Sequence, residues 1–251
     1  MKTIAIIAQK GGTGKTTTAH ALGAGLARRG HRTLLIDLDA QSNLTYVVGA
    51  DTHRAGAYEV LTLQATAAQA TQHMGLVDII PAGPGLAGAD LTITQPGKEY
   101  RLRDALRPLA GAYDYCIIDS PPALGILTVN ALTAATAAIV TAQADIFSLQ
   151  AIGALAATLD AIRQHTNPAL IVGGILLTRY NPRAILSRDV TDMMQDAAGA
   201  IRAHVYAARI RECTALKEAQ AMKQDIFTYS GRSNGAADYD AFLDELKGAG
   251  I

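Results

Sequence analysis

The sequence predicts a doubly wound α/β protein, a mostly parallel sheet flanked by helices, built as one domain over residues 1–251. Three observations carry this. The β-type runs are apolar throughout instead of alternating, as in parallel strands covered on both faces. They alternate with segments of helical period. The first run leads through a glycine-rich loop into a helical pattern, the order a phosphate-binding loop requires. Composition agrees: 49% of the 251 residues are apolar, enough for a large core.

In chain order, Thr3–Ala8 is the first strand. The loop Lys10-Gly11-Gly12-Thr13-Gly14-Lys15-Thr16-Thr17 follows it. Its glycines let backbone N–H groups converge on one point, and the helix start adds partial positive charge. Lys15 is placed to reach terminal phosphates, and the Thr16 hydroxyl to hold Mg²⁺. Thr16–Arg29 carries Ala19, Leu22, Gly23 and Leu26 on one face and stops at Gly30. Further strands are expected at Thr33–Asp37, Val77–Ile80, Tyr115–Asp119, Ala138–Thr141 and Leu170–Leu177. Gln150–Gln164 sets Ile152, Leu155, Ala156, Leu159 and Ile162 along one helical face. In such a sheet, ligands sit beyond the carboxyl ends of the strands.

Two strands end in carboxylates, Leu34-Leu35-Ile36-Asp37-Leu38-Asp39 and Tyr115-Cys116-Ile117-Ile118-Asp119. One such Asp is commonly a helix N-cap. Two beside a glycine loop point instead to metal holding and water positioning. Asp39, further out, is assigned to water positioning, and Asp119 to the metal through its surroundings. Asp37 is equally compatible with a structural role. Strand periodicity points Asp37 and Asp39 the same way unless the chain turns between them.

Other classes are disfavoured. The 22 basic and 22 acidic residues cancel, so a polyanion must be met by a local patch. Cys116 and Cys213 are far apart and the six histidines are scattered, which gives no zinc spacing and suits free thiols in a reducing cytoplasm. No run of 18 apolar residues and no signal-peptide pattern is present, so neither a membrane span nor secretion is expected.

The loop departs from the usual phosphate-binding pattern. Gln9 stands where the first glycine is expected, with a second lysine, Lys10, beside it. Two lysines around Gly-Gly-Thr-Gly mark the deviant Walker type of P-loop NTPase. Together with Asp37-Leu38-Asp39-Ala40-Gln41, Ile79-Ile80-Pro81-Ala82, Tyr113–Pro122, Asn130–Ala134, Gly174–Tyr180, Leu216–Ala219 and Ser233–Ala236, they make the chain resemble the short form of the ParA family of partitioning ATPases. The resemblance runs nearly end to end.

That resemblance implies ATP and Mg²⁺ bound at residues 10–17, with Thr16, Asp39 and Asp119 around the metal and Lys10, Lys15 and Asp39 in catalysis. It implies an ATP-bound sandwich homodimer in which Lys10 reaches the partner's nucleotide. Non-specific DNA binding and hydrolysis stimulated by a ParB-type partner follow from it, as does a cytoplasmic, nucleoid-associated protein. Thr178 and Arg211 match positions that frame adenine, with Cys213 where Asn is common. Arg183 matches a DNA-contact position, while Ala215 stands where relatives often have an arginine.

DNA binding needs clustered charge. Residues 179–223 hold eight cations and five carboxylates. From these, Arg183, Arg188, Lys217 and Lys223 are the candidate contacts. The rivals are a MinD-like positioning ATPase, whose basic amphipathic end helix this chain lacks, and a regulatory module that uses ATP only as a dimerisation switch. An iron–sulfur reductase of the same superfamily would need cysteines at the dimer axis, and Cys116 lies within a buried-strand pattern.

Overall fold

The computed structural model describes the backbone of all 251 residues and the side chains of all except 185–189. The strands are β1 (Lys2–Ile7), β2 (Thr33–Asp37), β3 (Gln72–His73), β4 (Asp78–Ile80), β5 (Tyr115–Asp119), β6 (Ala137–Gln143), β7 (Ile171–Tyr180) and β8 (Val205–Arg211). They form one sheet in the order β3-β4-β2-β5-β1-β6-β7-β8. All neighbouring pairs are parallel except β3 with β4. The six strands expected from sequence are present, with ends shifted by three residues or fewer.

The helices are α1 (Lys15–Arg28), α2 (Asn43–Val48), α3 (Ala57–Leu61), α4 (Ala67–Ala70), α5 (Ala89–Thr92), α6 (Arg101–Leu106), α7 (Ile126–Ala134), α8 (Ile146–His165), α9 (Ile185–Ala200), α10 (Thr214–Ala221), α11 (Ile226–Ser230) and α12 (Asn234–Gly248). They cover both faces of the sheet. Ile4, Ile6, Leu35, Ile117 and Ile139 pack under α1 and α12, against Leu22, Leu26, Phe242 and Leu243. Their alternate neighbours Ala5, Ile7, Ile36, Ile118 and Val140 pack under α7 and α8, against Leu127, Ala131, Leu155 and Leu159. Two covered faces are the reason the strands read as unbroken apolar runs.

Helix α1 ends as its sequence predicts. Gly30 adopts φ 88°, and the N–H groups of Gly30 and His31 donate to the carbonyls of Ala27 and Leu26. This is a Schellman closure, which needs the left-handed conformation that glycine adopts freely. Helix α8 is long and apolar enough to cross a membrane by composition. Its Ile152, Leu155, Leu159 and Ile162 are buried in the core at the spacing that the sequence predicted.

Candidate active site

The glycine loop joins the end of β1 to α1 at the carboxyl edge of the sheet. Gly12 and Gly14 have φ of 75° and 80°, conformations that side chains resist. The loop's carbonyls are tied outward to neighbouring strands. Gln143 Nε2 donates to Gly12 O at 2.8 Å, and Thr178 Oγ1 donates to Thr13 O at 2.7 Å. Thr13 itself is fully buried, with its hydroxyl 3.0 Å from that of Thr141. Among the described residues, no backbone N–H from Gly11 to Thr17 donates to another protein group. That leaves a set of unpaired donors at a helix N-terminus, where an anion is the natural partner.

Asp119 ends β5, between β1 and β2, in register with Ile6 on one side and Asp37 on the other. It is fully buried, and its Oδ2 accepts from Thr16 Oγ1 at 2.7 Å. Its Oδ1 has no hydrogen-bond partner. Burial, reinforced by the charge of Asp37, pushes its carboxyl well above the usual range, against the Thr16 hydrogen bond and the charge of Lys15. A hard cation between the Thr16 hydroxyl and this carboxylate would relieve both the missing partner and the repulsion. The residues therefore fit Mg²⁺. Lys15 is buried, and desolvation lowers its pKa against the pull of Asp119 and Asp39.

The two carboxylates after β2 diverge. The strand ends at Asp37, the chain turns, and the N–H of Asp39 donates to Asp37 Oδ1 at 3.0 Å. Asp37 is fully buried, its Oδ2 accepting from both the N–H and the hydroxyl of Thr45, at 2.8 and 2.7 Å. Both carboxylate oxygens are thus engaged within the protein, Oδ1 by the turn at Asp39 and Oδ2 by Thr45 of α2. Asp39 is half-buried, and Gln41 N–H donates to its Oδ1. It lines a cavity of about 650 Å³ together with Gly11, Gly12, Gly14, Lys15, Thr16 and Thr17.

The far wall of that cavity comes from β7, β8 and α10, including Thr178, Arg211, Cys213, Leu216 and Gln220. Thr178 and Arg211, the two residues expected to frame a base, both line this wall. The Thr178 hydroxyl braces the loop through Thr13 O and Ala142 O. The Arg211 guanidinium is held by Asp238 of α12, with Nη2 at 2.6 Å from Oδ1. Arg211 thus shapes the wall while its charge is already paired.

Lys10 Nζ lies 2.7 Å from Asp145 Oδ2 and 5.8 Å from the Phe147 ring centroid. Asp145 is the N-cap of α8, accepting from Ser148 N–H at 2.8 Å. Against the upward push of partial burial, the hydrogen bonds from Lys10 and Ser148 hold its carboxyl below the usual range. Sequence reasoning missed Asp145, although Asp145-Ile-Phe-Ser148 is a readable N-cap pattern. It also missed Asp238 and Gln220, which no local signal marks.

Of the cations expected to meet DNA, Arg183 is exposed. The side chain of Arg188 is among those outside the description. Lys217 Nζ is 2.9 Å from Glu212 Oε1, and Arg179 holds the same carboxylate at 3.0 Å. Lys223 Nζ sits 4.5 Å from the Tyr46 ring centroid.

A family model described as an AAA domain matches residues 1–172. The chain is 39% identical to the chromosome partitioning protein ParA of Myxococcus xanthus, over 97% of this chain and 87% of that protein. It is 37% identical to the sporulation initiation inhibitor protein Soj of Bacillus subtilis, covering 95% of each. Among solved structures, it resembles a Mycobacterium smegmatis protein described as cobyrinic acid a,c-diamide synthase, with bound ADP and magnesium. That likeness has TM-score 0.84 and 35% identity, over 98% of this chain and 94% of that one. Apo McdA of Cyanothece superposes with TM-score 0.89 at 25% identity, over 99% of both chains.

Proposed function

The chain belongs to the ParA family of P-loop partitioning ATPases, and on that premise we propose that it binds ATP with Mg²⁺, pairs into a sandwich dimer, and hydrolyses the nucleotide to leave DNA. The observation that carries this reading is the set of unpaired amides of residues 11–17 beside a buried Asp119 oxygen without a partner. Those amides and the Lys15 ammonium bind the phosphate chain and draw off the charge that builds up when water attacks the γ-phosphate in line. Thr16 and Asp119 would hold Mg²⁺, which would supply Lewis-acid polarisation and further charge neutralisation. Asp39, which lines the cavity beside the loop, orients the attacking water.

Lys10 reaches the partner's nucleotide in the dimer. To do so it exchanges Asp145 for phosphate, one anion for another. Hydrolysis is slow until a ParB-type partner completes the arrangement. The dimer binds DNA without sequence preference through Arg183 and neighbouring cations, so affinity falls steeply with salt.

Gel filtration and filter binding to random DNA, with ATP, ADP and no nucleotide, test this. Lys15→Ala is expected to abolish tight nucleotide binding. Lys10→Ala should bind nucleotide as a monomer without dimerising. Asp39→Ala should accumulate as an ATP-loaded dimer on DNA. A chain that stays monomeric when saturated with uncleaved Mg·ATP refutes the reading.

A further inference from the structure

Gln220 lies on α10, three residues after Lys217, and lines the cavity opposite the glycine loop. Its Nε2 donates to Thr17 Oγ1 at 2.8 Å. Among the described residues this is the one hydrogen bond that ties α10 to α1. Helix α10 otherwise rests on apolar packing, through buried Ala219 and partly buried Ala215 and Leu216. Its other side-chain bonds run to Glu212 and Tyr229, neither of them in α1 or the glycine loop.

The polarity of this bond matters. A neutral amide nitrogen only donates, and a hydroxyl carries one proton and two acceptor positions. Thr17 Oγ1 therefore accepts from Gln220, which leaves its own proton for another acceptor. Thr17 stands in the first turn of α1, one residue beyond Thr16, on the same cavity as the phosphate-loop amides. A phosphate seated on those amides would supply that acceptor.

We propose that Gln220 is a positioning residue for the nucleotide: its amide turns the Thr17 hydroxyl so that the proton faces the bound phosphate chain. The inference rests on the ATP-binding reading above. It also makes α10, with Lys217 on it, the element that senses occupancy, because an oxygen that donates to phosphate is a better acceptor for Gln220.

Titration calorimetry with Mg·ADP and Mg·ATP on the full chain tests it. Gln220→Ala should weaken both nucleotides by about three- to tenfold, the range of one net hydrogen bond. In a Thr17→Val background, the same substitution should change affinity by less than about twofold, since the group it positions is gone. Gln220→Glu replaces the donor with an acceptor. It should bind more weakly than Gln220→Ala, with the gap widening as pH rises and the new carboxyl ionises. Melting of the nucleotide-free variants reports any general loss of stability separately. Unchanged affinity in Gln220→Ala, fully additive losses in the double variant, or Gln220→Glu binding as well as Gln220→Ala each overturn the assignment. If the unsubstituted chain binds neither nucleotide, the ATP reading itself fails, which the variants cannot mimic.

Discussion

Asp37 and Asp119 stand side by side on β2 and β5, in register and fully buried, yet their oxygens have different fates. Asp37 accepts three hydrogen bonds and anchors α2, while Asp119 keeps one oxygen free for a cation. The Thr45 hydroxyl between Asp37 and the N–H of Ala82 extends the anchor into the loop after β4. Asp37→Asn places a donor where an acceptor is required, and unsatisfied buried groups cost about 1–3 kcal/mol each. The variant is expected to lose that much in urea unfolding and to keep Mg·ADP affinity within about twofold, because Asp37 faces the anchor and not the loop. A tenfold loss of nucleotide affinity would return Asp37 to the metal. At Lys10, a different single atom decides. Asp145→Asn keeps an N-cap for α8, since Asn caps as well as Asp, but removes the charge that holds Lys10. Freed from its pair, Lys10 is expected to raise the ATP-dependent association constant of the dimer by about two- to fivefold for each Lys10 released, the worth of a partly exposed ion pair. Sedimentation at fixed chain concentration reads this, and an unchanged dimer fraction means that the pair does not compete with dimerisation.

Among the elements, α1 shows how the phosphate loop is held at its depth in the fold. It carries Gly23 and Gly25 in its middle, at about 1 kcal/mol each of helix propensity. The sheet and α12 explain both: a Cβ at Gly23 would run into Leu35, and one at Gly25 into Leu243. Gly23→Val should push α1 off the sheet at a cost of about 1–3 kcal/mol, the range for overpacking. A thermal shift with and without Mg·ADP checks it, and equal stability to the unsubstituted chain would mean that Leu35 simply turns aside. The same closeness explains what was legible in the sequence. Buried parallel strands are continuous apolar runs with turn signals at both ends, so six strands, and the residues at their carboxyl ends, could be read directly. β8 escaped because Val205–Arg211 is an edge strand in which Arg209 and Arg211 interrupt the run. β3 escaped because two residues carry no period. Lys15, Thr16 and Asp119 were readable because the chemistry lies in short runs. Asp145, Asp238 and Gln220 act across 135, 27 and 203 residues of sequence separation, which local pattern does not encode.

For the whole molecule, charge is the governing quantity. A net charge of zero gives no general attraction to DNA, so a local patch must supply it. The edge formed by β7, β8 and α10 holds cations, but several are neutralised in place. Glu212 binds Arg179 and Lys217 together, and the hydrogen bonds from these two hold its carboxyl at about 2. It therefore stays ionised across the neutral range, and lowering pH within that range does not release its partners. Substitution does. Glu212→Gln removes one negative charge per chain and frees Lys217 and Arg179 to meet phosphate. Each added phosphate contact steepens the dependence of log affinity on log salt by about 0.9, and a dimer doubles the gain. The ATP-loaded variant is therefore expected to bind random duplex more tightly than the unsubstituted chain at low salt, with a slope steeper by about 2 where one freed cation per chain meets phosphate and by about 4 where both do. Fluorescence anisotropy across a salt series measures both quantities. If affinity and slope are both unchanged, Lys217 and Arg179 face away from the DNA, and the basic surface must be sought around Arg183 instead.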